Sequence, residues 1–482
     1  MAIRTGAQYR DSIRDGREVW IDGVRVQDVT KHPIFRPIID VRARIYDMAH
    51  EAAHRELLTY EGSDAVGRNS VFGKPPVSQD DWHKKRAATD AVFDEVGGIV
   101  NRIGEETIAE LWSLHDGRDL LNEVDPRFAA NIDRHVESAR CDDLFWVSAN
   151  TDPKGDRAKM PAEKDPDLML RAVRETDAGI VVRGAKFETG VAYANRAFVK
   201  PTIAQWGDDA LSDYAVGFVV DLAARGVRMI CRSGYATQGS AADYPLSNRC
   251  DEIDSLVVFD DVLIPWEDVL FYRHTRAASL VRATLHRYGA FAFVQRCLRM
   301  ADLMIGVALL NVRQTGLESI AKVQELLATL AIYRETIHAH LVASIECAEQ
   351  GPGGLTMPNQ SLLYTGRVHA CERLPAMMHV ARELCGGQLC LTPSAASFDA
   401  REIAPWLSKY YAAGDTPAAD RRKLLAYARD LLSSSYAGHR AAFTQFAQAP
   451  HYSHMNAVFQ HFDFEHSAGV AERAIDIRVG TR

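Results

Sequence analysis

The sequence predicts an α+β protein in which a helical domain, a central antiparallel β-sheet or barrel domain and a helical bundle follow one another. Apolar residues recur at three- and four-residue steps in residues 77–121 and again in residues 320–341, the spacing of helices with one buried face. Between these blocks the apolar residues gather in short, β-branched runs. The predicted domains span residues 1–142, 143–276 and 277–482.

The first domain is predicted to be mostly helical after a small hairpin around residues 20–24. Ser78 precedes Asp81 at the spacing of a capping pair, so we expect a helix to begin there. Arg102 lies within the same helical block, and its spacing alone is that of a residue on a solvated face.

The central domain is predicted from three segments that are short, β-branched and bounded by Gly, Asp or Pro: 214–221, 227–232 and 255–259. Turns rather than helices separate them, which favours an antiparallel sheet. No Gly-x-Gly-x-x-Gly follows any of them, so a Rossmann site is not indicated. The polar loop and β-branched run of residues 151–195 are predicted to form a cradle for a large polar cofactor.

In the last domain, one helix is expected to follow Ser361 and to end at Gly386. Another is expected to begin with Thr416 as its cap and Pro417 in its first turn. A bundle with a broad apolar seam often assembles further, so we expect a homodimer or homotetramer.

Composition excludes several classes of protein. The 482 residues carry a net charge of −8 without a basic tract, which argues against nucleic-acid binding. The charged N-terminus has no signal-peptide core, so a cytoplasmic location is expected, and the apolar run 303–310 is too short to span a membrane. Eight scattered cysteines without a Cys-x-x-Cys predict reduced, buried thiols.

Two groups of histidines are candidates for chemistry. His451, His454 and His461 share roughly one helical face, but no carboxylate ligand accompanies them, and no metal site is predicted. His286 and Tyr288 can serve as acid and base for a substrate hydroxyl, or His286 can be a packing residue. No nucleophile elbow or phosphate-binding loop supports a hydrolase or kinase.

Several segments, in order, carry a resemblance to a known family. They are RTGAQYRDSIRDGREVWIDG at 4–23, VTKHPIFRP at 29–37, TDPKGDR at 151–157, GIVVRGAK at 179–186, TGVAYAN at 189–195, YPLSNRCDEIDSLVVFDDVLIPWEDV at 244–269 and ELCGGQLCLTPS at 383–394. The chain resembles the 4-hydroxyphenylacetate 3-hydroxylase family, the oxygenase components of two-component flavin monooxygenases. The resemblance implies the acyl-CoA dehydrogenase-like fold.

The resemblance also implies a reaction and its partners. A separate NAD(P)H-dependent flavin reductase is expected to deliver FADH₂, which reacts with O₂ to give a C4a-hydroperoxide that hydroxylates a small phenolic or other electron-rich aromatic substrate. Two alternatives stay open. One is a flavin-dependent acyl-CoA dehydratase, isomerase or dehydrogenase without an iron–sulfur cluster, and the other is a non-catalytic relative of the same fold.

The dehydratase alternative has its own resemblance. The TDPKGDR and GIVVRGAK segments are also similar to 4-hydroxybutyryl-CoA dehydratase, which holds an iron–sulfur cluster. The positions of its cluster ligands fall on Ile99 and Ile103 and near Gly289 and Arg296 in this chain. The ligands are missing, which argues against the dehydratase reaction.

The hydroxylase resemblance implies site residues, with two departures. The family's Arg matches Arg102, a fixed cation beside flavin or phenolate, whereas its Tyr and His positions hold Glu106 and Ser148. A chlorophenol-oxidising branch also lacks that Tyr and His. A carboxylate at 106 can suit a substrate carrying an amine. The predicted catalytic residues are Arg102, Glu106, Ser148 and His286. The predicted cofactor contacts are Arg102, Thr151, Asp152, Lys154, Arg157, Thr189 and Asp463. Among these, Thr189 is expected to donate a hydrogen bond to the flavin edge.

Overall fold

The computed structural model describes residues 3–62, 67–100, 104–159, 161–201, 209–284, 286–447 and 449–475. Arg102 and Ile103 lie outside these ranges. The N-terminal part holds α1 (Gly6–Ser12), β1 (Glu18–Ile21), β2 (Val24–Val26), α2 (Arg36–Met48), α3 (Arg55–Leu58), β3 (Thr59–Glu61), β4 (Arg68–Ser70), α4 (Gln79–Val96), α5 (Glu105–Asp116), α6 (Arg118–Val124) and α7 (Pro126–Cys141).

Strands dominate the central part and helices the last part. The central elements are β5 (Trp146–Ala149), β6 (Arg171–Thr176), β7 (Gly179–Thr189), β8 (Arg196–Val199), β9 (Val216–Asp221), β10 (Val227–Cys231), α8 (Pro245–Arg249), β11 (Asp254–Pro265) and β12 (Val269–Tyr272). The last part holds α9 (Thr275–Thr284), α10 (His286–Gln314), α11 (Ala321–Glu346), β13 (Glu349–Gln350), β14 (Thr356–Met357), α12 (Gln360–Cys385), α13 (Gln388–Leu391), α14 (Ala395–Asp399), α15 (Ala404–Tyr410), α16 (Ala418–Leu432), α17 (Ser435–Phe446), α18 (His451–His461) and α19 (Phe464–Ile475).

The central strands form two sheets, of order β2-β1-β10-β11-β7-β6 and β12-β9-β8-β5. Neighbouring strands are antiparallel except for the parallel pairs β1–β10 and β5–β8. The three predicted strands are confirmed as β9, β10 and β11. The predicted N-terminal hairpin is confirmed as β1–β2, and the structure adds that it extends the central sheet by pairing with β10.

A glycine divides the long helical run predicted near the N-terminus. Ser78 Oγ accepts a hydrogen bond from the Asp81 backbone N–H at 3.2 Å, which confirms the predicted cap of α4. The helix then stops at Gly97, whose φ of 63° is left-handed and favours glycine. The next described helix, α5, begins at Glu105, so the predicted helical block contains at least two helices.

The helices α10, α11 and α12 form the bundle. Of the predicted seam, Leu330, Ile337 and Leu341 are buried, whereas Ile320 precedes α11 and is exposed. The predicted end of α12 is confirmed, because Gly386 follows Cys385 with a φ of 73°. The predicted cap at Thr416 is wrong. Its backbone pairs with Ala413 in a tight turn, and α16 begins at Ala418 without a side-chain capping bond.

Two other predictions concern the cysteines and membrane-spanning helices. All eight cysteines are free, but Cys347 and Cys390 are exposed, so the prediction that the thiols are buried is wrong for these two. Cys347 directly follows α11 and Cys390 lies in the short helix α13, and both thiols are at the surface. Among the described helices, none combines the length and the apolar character needed to cross a membrane.

Candidate functional site

A cavity of about 880 Å³ lies where α5, the loop after β5, the end of β7 and the segment from α17 to α18 come together. It is lined by Glu106, Glu110, Asn150, Thr151, Asp152, Pro153, Lys154, Arg157, Pro161, Lys164, Met169, Phe187, Glu188, Thr189, Asp254, Phe443, Phe446, Ala447, Ala449, Pro450 and Tyr452. The volume is near the upper end of the range, roughly 300–1,000 Å³, of small-molecule sites. The cavity can therefore hold a large ligand.

The loop after β5 supplies four of the residues predicted to hold the cofactor: Thr151, Asp152, Lys154 and Arg157. The Phe187 backbone N–H donates to the Thr151 carbonyl at 2.7 Å, which ties this loop to β7. Lys154 and Arg157 are exposed, and Asp152 is buried. The loop thus offers cations at the mouth of the cavity and a carboxylate farther in.

Asp152 forms a buried ion pair with a lysine of β7. The Lys186 Nζ donates to Asp152 Oδ1 at 2.5 Å, and both side chains are almost completely buried. Burial lowers the pKa of Lys186 below its usual value, although Asp152 opposes this shift. Lys186 does not line the cavity, so the pair presents its carboxylate side to a ligand.

Thr189 and Asp254 are cross-strand partners on β7 and β11, and both line the cavity. Thr189 Oγ1 donates to Asp254 Oδ1 at 2.5 Å, while Asp254 Oδ2 accepts from Arg232 Nε at 2.7 Å and lies 3.1 Å from His439 Nε2. Burial alone raises the pKa of Asp254, but the bonds from His439, Thr189 and Arg232 outweigh it and hold that pKa well below its usual range.

The bond to Asp254 changes the expected role of Thr189. A hydroxyl has one hydrogen, and Thr189 gives it to a carboxylate that can only accept. Toward a ligand the oxygen can then only accept. In this geometry the hydroxyl hydrogen of Thr189 is engaged by Asp254, and the contact of Thr189 with the flavin edge stays a prediction.

The helix α5 places Glu106 and Glu110 one turn apart, and both line the cavity while being only 2% and 1% exposed. Arg296 Nη2 on α10 donates to Glu106 Oε2 at 2.6 Å. Lys200, just after β8, donates to Glu110 Oε2. Burying a carboxylate is costly unless a cation accompanies it, and each of these has one.

Ser148 lies behind Glu110 rather than at the cavity surface. Its hydroxyl donates to Glu110 Oε2, and its oxygen lies 3.2 Å from Thr107 Oγ1 and 3.4 Å from Lys200 Nζ. These contacts make Ser148 part of a buried polar network around the glutamate. The structure brings Ser148 and Glu110 together but leaves Ser148 out of the cavity lining.

His286 begins α10 and lies with its Nδ1 3.5 Å from Glu110 Oε1. Burial and the nearby Lys200 lower the pKa of His286 well below 6.5, so the ring is neutral at physiological pH. Its proposed partner Tyr288 instead donates to Asp116 Oδ2 at 2.9 Å. His286 thus joins the Glu110 network and Tyr288 is bonded to Asp116, while the acid–base role stays a prediction.

The remaining candidates lie apart from the cavity or outside the described ranges. Arg102 belongs to the undescribed residues. Asp463 accepts from the His466 backbone N–H at 2.9 Å and does not line the cavity, so its cofactor role stays a prediction. In the histidine group on α18, the rings of His454 and His461 stack on Tyr364 with centroids 6.3 and 6.2 Å apart from it. No cluster of metal-binding side chains occurs in the described ranges.

Sequence reasoning missed Glu110, Lys200, Arg232, Asp254 and the role of Arg296. For Glu110 a signal existed, since it follows Glu106 by four residues on a predicted helix. Asp254 lies within a segment that carried the family resemblance. Arg296, in contrast, stands near a position where the dehydratase resemblance places a cluster ligand, and its bond to Glu106 is a tertiary contact that spacing does not reveal.

Comparisons with known proteins identify the family of the chain. The family models for the N-terminal and C-terminal parts of 4-hydroxyphenylacetate 3-hydroxylase match residues 5–271 and 277–476. The oxygenase component of 4-hydroxyphenylacetate 3-monooxygenase from Thermus thermophilus is 28% identical over 92% of this chain and 91% of its own. The pyoverdin chromophore biosynthetic protein PvcC of Pseudomonas aeruginosa is 33% identical over 92% of this chain and 88% of its own.

Solved structures show the same fold. A crystal structure of the oxygenase component HpaB with FAD and 4-hydroxyphenylacetate has a TM-score of 0.91 and 26% identity, with 98% of each chain covered. An archaeal 4-hydroxybutyryl-CoA dehydratase from N. maritimus has a TM-score of 0.89 at 22% identity, covers 100% of this chain and 96% of its own, and supports the fold alone. The predicted fold class is confirmed, and the chain belongs to the 4-hydroxyphenylacetate 3-hydroxylase family.

Proposed function

We propose that the protein is the oxygenase component of a two-component monooxygenase, which uses FADH₂ from a separate NAD(P)H:flavin reductase and O₂ to hydroxylate a small phenolic or other electron-rich aromatic substrate. One observation carries this proposal. The 880 Å³ cavity is bordered by the loop and strand segments that match the family, with cations at its mouth and buried polar groups inside. We place the enzyme in the cytoplasm.

The lining residues fit a flavin nucleotide. Lys154, Arg157 and Lys164 can pair with the pyrophosphate at the mouth, where long cationic side chains reach a diphosphate without being buried. Thr189 offers an acceptor for a flavin N–H group. The side chains of Phe187 and Phe443 give apolar surface for the flat ring.

Bound reduced flavin supplies the two electrons that let one oxygen atom of O₂ enter the substrate while the other leaves as water. The protein contributes position and a dry environment. The buried side chains of Asp152 and Thr189 limit water near the ring, and excluding water prevents loss of the reducing power as hydrogen peroxide. Glu110, held by Lys200 and Ser148, offers a buried carboxylate to a polar group of the substrate.

Two finer assignments belong to this proposal. Arg102 is the fixed cation that favours an anionic flavin or phenolate, because a guanidinium stays charged at every physiological pH. The oxygenase assembles as a homodimer or homotetramer. Support for assembly comes from the exposed aromatic rings Phe459, Phe462 and Phe464 on and between α18 and α19, since contiguous apolar surface marks interfaces.

The test mixes anaerobic protein and FADH₂ with oxygenated buffer and follows oxygen consumption and flavin absorbance together. We expect oxygen to be consumed before the yellow absorbance of oxidised flavin returns, because the protected site delays the final step. Free FADH₂ and heat-denatured protein are the controls. Return of the absorbance at the same moment as oxygen loss, as for free FADH₂, contradicts the proposal.

A further inference from the structure

The inner end of the cavity is formed by two carboxylates, Glu106 and Glu110, which we call the inner carboxylate pair. Both belong to the cavity lining and both are almost fully buried. Their cations, Arg296 and Lys200, are not part of the lining among the described residues. The carboxylates therefore lie between the cavity and the positive charges, and a ligand meets acceptor oxygens first.

The two oxygens of Glu110 differ in their contacts. Oε2 accepts from both Lys200 and Ser148. Within the described part of the chain, the polar contact of Oε1 is His286 Nδ1, at 3.5 Å. That distance is too long for a strong bond, and the neutral imidazole brings no charge. Oε1 is thus an acceptor with capacity for one further donor.

The basic side chains that line the cavity lie away from the inner carboxylate pair. Lys154 and Arg157 line it from the exposed loop, whereas the inner carboxylate pair is buried. An aromatic ligand that enters the cavity therefore passes the basic side chains at the mouth before it reaches the inner carboxylate pair. A ligand carboxylate placed at that end faces two carboxylates in a medium of low dielectric constant, which costs free energy.

We propose that the inner carboxylate pair selects phenols whose second polar group is a protonated amine and rejects phenolic carboxylic acids. This inference rests on the proposed function, since it takes the cavity to be the phenol site. An ammonium group has three donors and a positive charge, and its hydrogen bonds to a carboxylate are about twice as strong as bonds between neutral groups. Glu110 Oε1 is the principal anchor, and Glu106 adds negative potential from the adjacent turn.

The test compares three phenols with closely similar skeletons: tyramine, 4-ethylphenol and 4-hydroxyphenylacetate. Their affinities for the protein loaded with FADH₂ are measured by anaerobic calorimetry at neutral pH. We expect tyramine to bind about tenfold more tightly than 4-ethylphenol, the neutral match, and the acid to bind most weakly. Equal affinities for tyramine and 4-ethylphenol, or a preference for the acid, overturn the inference.

Substitutions test whether Glu110 causes the preference for tyramine. Glu110→Gln keeps the shape and hydrogen-bonding reach but leaves the ammonium of Lys200 uncompensated, so the order of the charged ligands should reverse in favour of 4-hydroxyphenylacetate. Glu105→Gln is the control and is compared with the wild type at pH 8, above the pKa of about 7 of Glu105, because it then removes a charge from the neighbouring position of α5 and that residue does not line the cavity. It should keep the tyramine preference. Loss of the preference in this control assigns it to general charge and overturns the proposal.

A second variant covers the case in which Glu110→Gln fails to fold. Glu110→Gln combined with Lys200→Gln removes both charges together, and it should bind tyramine and 4-ethylphenol equally. Retained tyramine preference in that variant contradicts a role for Glu110. The oxygen and flavin measurements described above separate the two proposals. If the protein prefers tyramine but flavin oxidation is not delayed, only the proposed function is refuted. If flavin oxidation is delayed but the protein shows no ligand preference, only this inference is refuted.

Discussion

Two sides of one cavity hold their charges in different ways. On the sheet side, Asp152 and Asp254 belong to segments that resemble the family, and they are fixed by Lys186 and Arg232 from the same sheet. On the helical side, the inner carboxylate pair stands on α5 and takes its cations from α10 and the end of β8. The arginine and lysine of the sheet side thus come from the six-stranded sheet, whereas the cations of the helical side come from a helix and a strand end that pack against α5.

This difference teaches where the chain follows its family and where it departs. Cross-strand partners such as Thr189 and Asp254 are fixed by sheet register, so any chain with these strands can rebuild the same wall. On the helical side, Glu106 stands where the family resemblance expects a Tyr, and Ser148, which donates to Glu110, stands where it expects a His. We therefore assign the sheet side to the cofactor and the helical side to the choice of substrate, and substitutions can break that assignment.

The largest effect is expected for Asp254→Ala on the sheet side. It leaves His439 and Arg232 without a shared partner, although Arg232 keeps Asp251 at 2.7 Å. Breaking one partner of a charge network costs about 3–5 kcal/mol when it is buried, so about 2 kcal/mol is expected for this partly exposed site. The free energy of unfolding from urea titration measures the loss.

The pH dependence of unfolding checks that charge is the cause. Because the folded pKa of Asp254 is depressed, its stabilisation is present above the unfolded value of 3.8 and is lost as pH falls through the still lower folded value. Asp254→Asn, which keeps the shape, should show a weaker loss of stability on acidification than the wild type. The same slope in both proteins assigns the stabilisation to other groups.

Replacing Glu105, the residue before Glu106 on α5, is expected to increase the stability of the protein. Burial raises the pKa of Glu105 to about 7, with the nearby Arg296 opposing the shift. Because the folded chain keeps a proton that the unfolded chain releases, stability falls as pH rises from 4.5 to about 7. Glu105→Gln should raise the unfolding free energy by about 2 kcal/mol at pH 8 and change it little at pH 4.5.

Urea unfolding at the two pH values measures this, and flavin affinity is the internal control. Because Glu105 does not line the cavity, the affinity for FADH₂ should stay unchanged. An equal gain at both pH values contradicts the explanation through ionisation.

The smallest effect separates cofactor binding from stability. Thr189→Val removes one acceptor from the cavity, so the affinity for FADH₂ should fall by about 0.5–1.5 kcal/mol. Oxidised FAD should be affected less, because the flavin N5 carries a hydrogen only when it is reduced. Anaerobic titrations of both forms measure the difference. Thr189→Ser keeps the hydroxyl and should bind as the wild type does, and unchanged FADH₂ affinity in the valine variant removes Thr189 from the site.

Local signals in the sequence located most of the fold. The strands β9 to β11, the cap of α4 at Ser78 and the end of α12 at Gly386 all depend on residues close in the chain, so spacing and turn chemistry predicted them. Thr416 failed because its backbone pairs within a turn that competes with the helix start. The break at Gly97 was also missed, since apolar spacing alone does not register a left-handed residue.

For the site, the sequence by itself determined the family and the loop and strand that border the cavity, because those segments keep their order and chemistry. Only the tertiary structure decided which charges meet: Arg296 with Glu106, Lys200 with Glu110, and His439 with Asp254. These partners are about 90 to 190 residues apart. A buried ion pair depends on distance and desolvation in the folded chain, and neither quantity is written in local sequence.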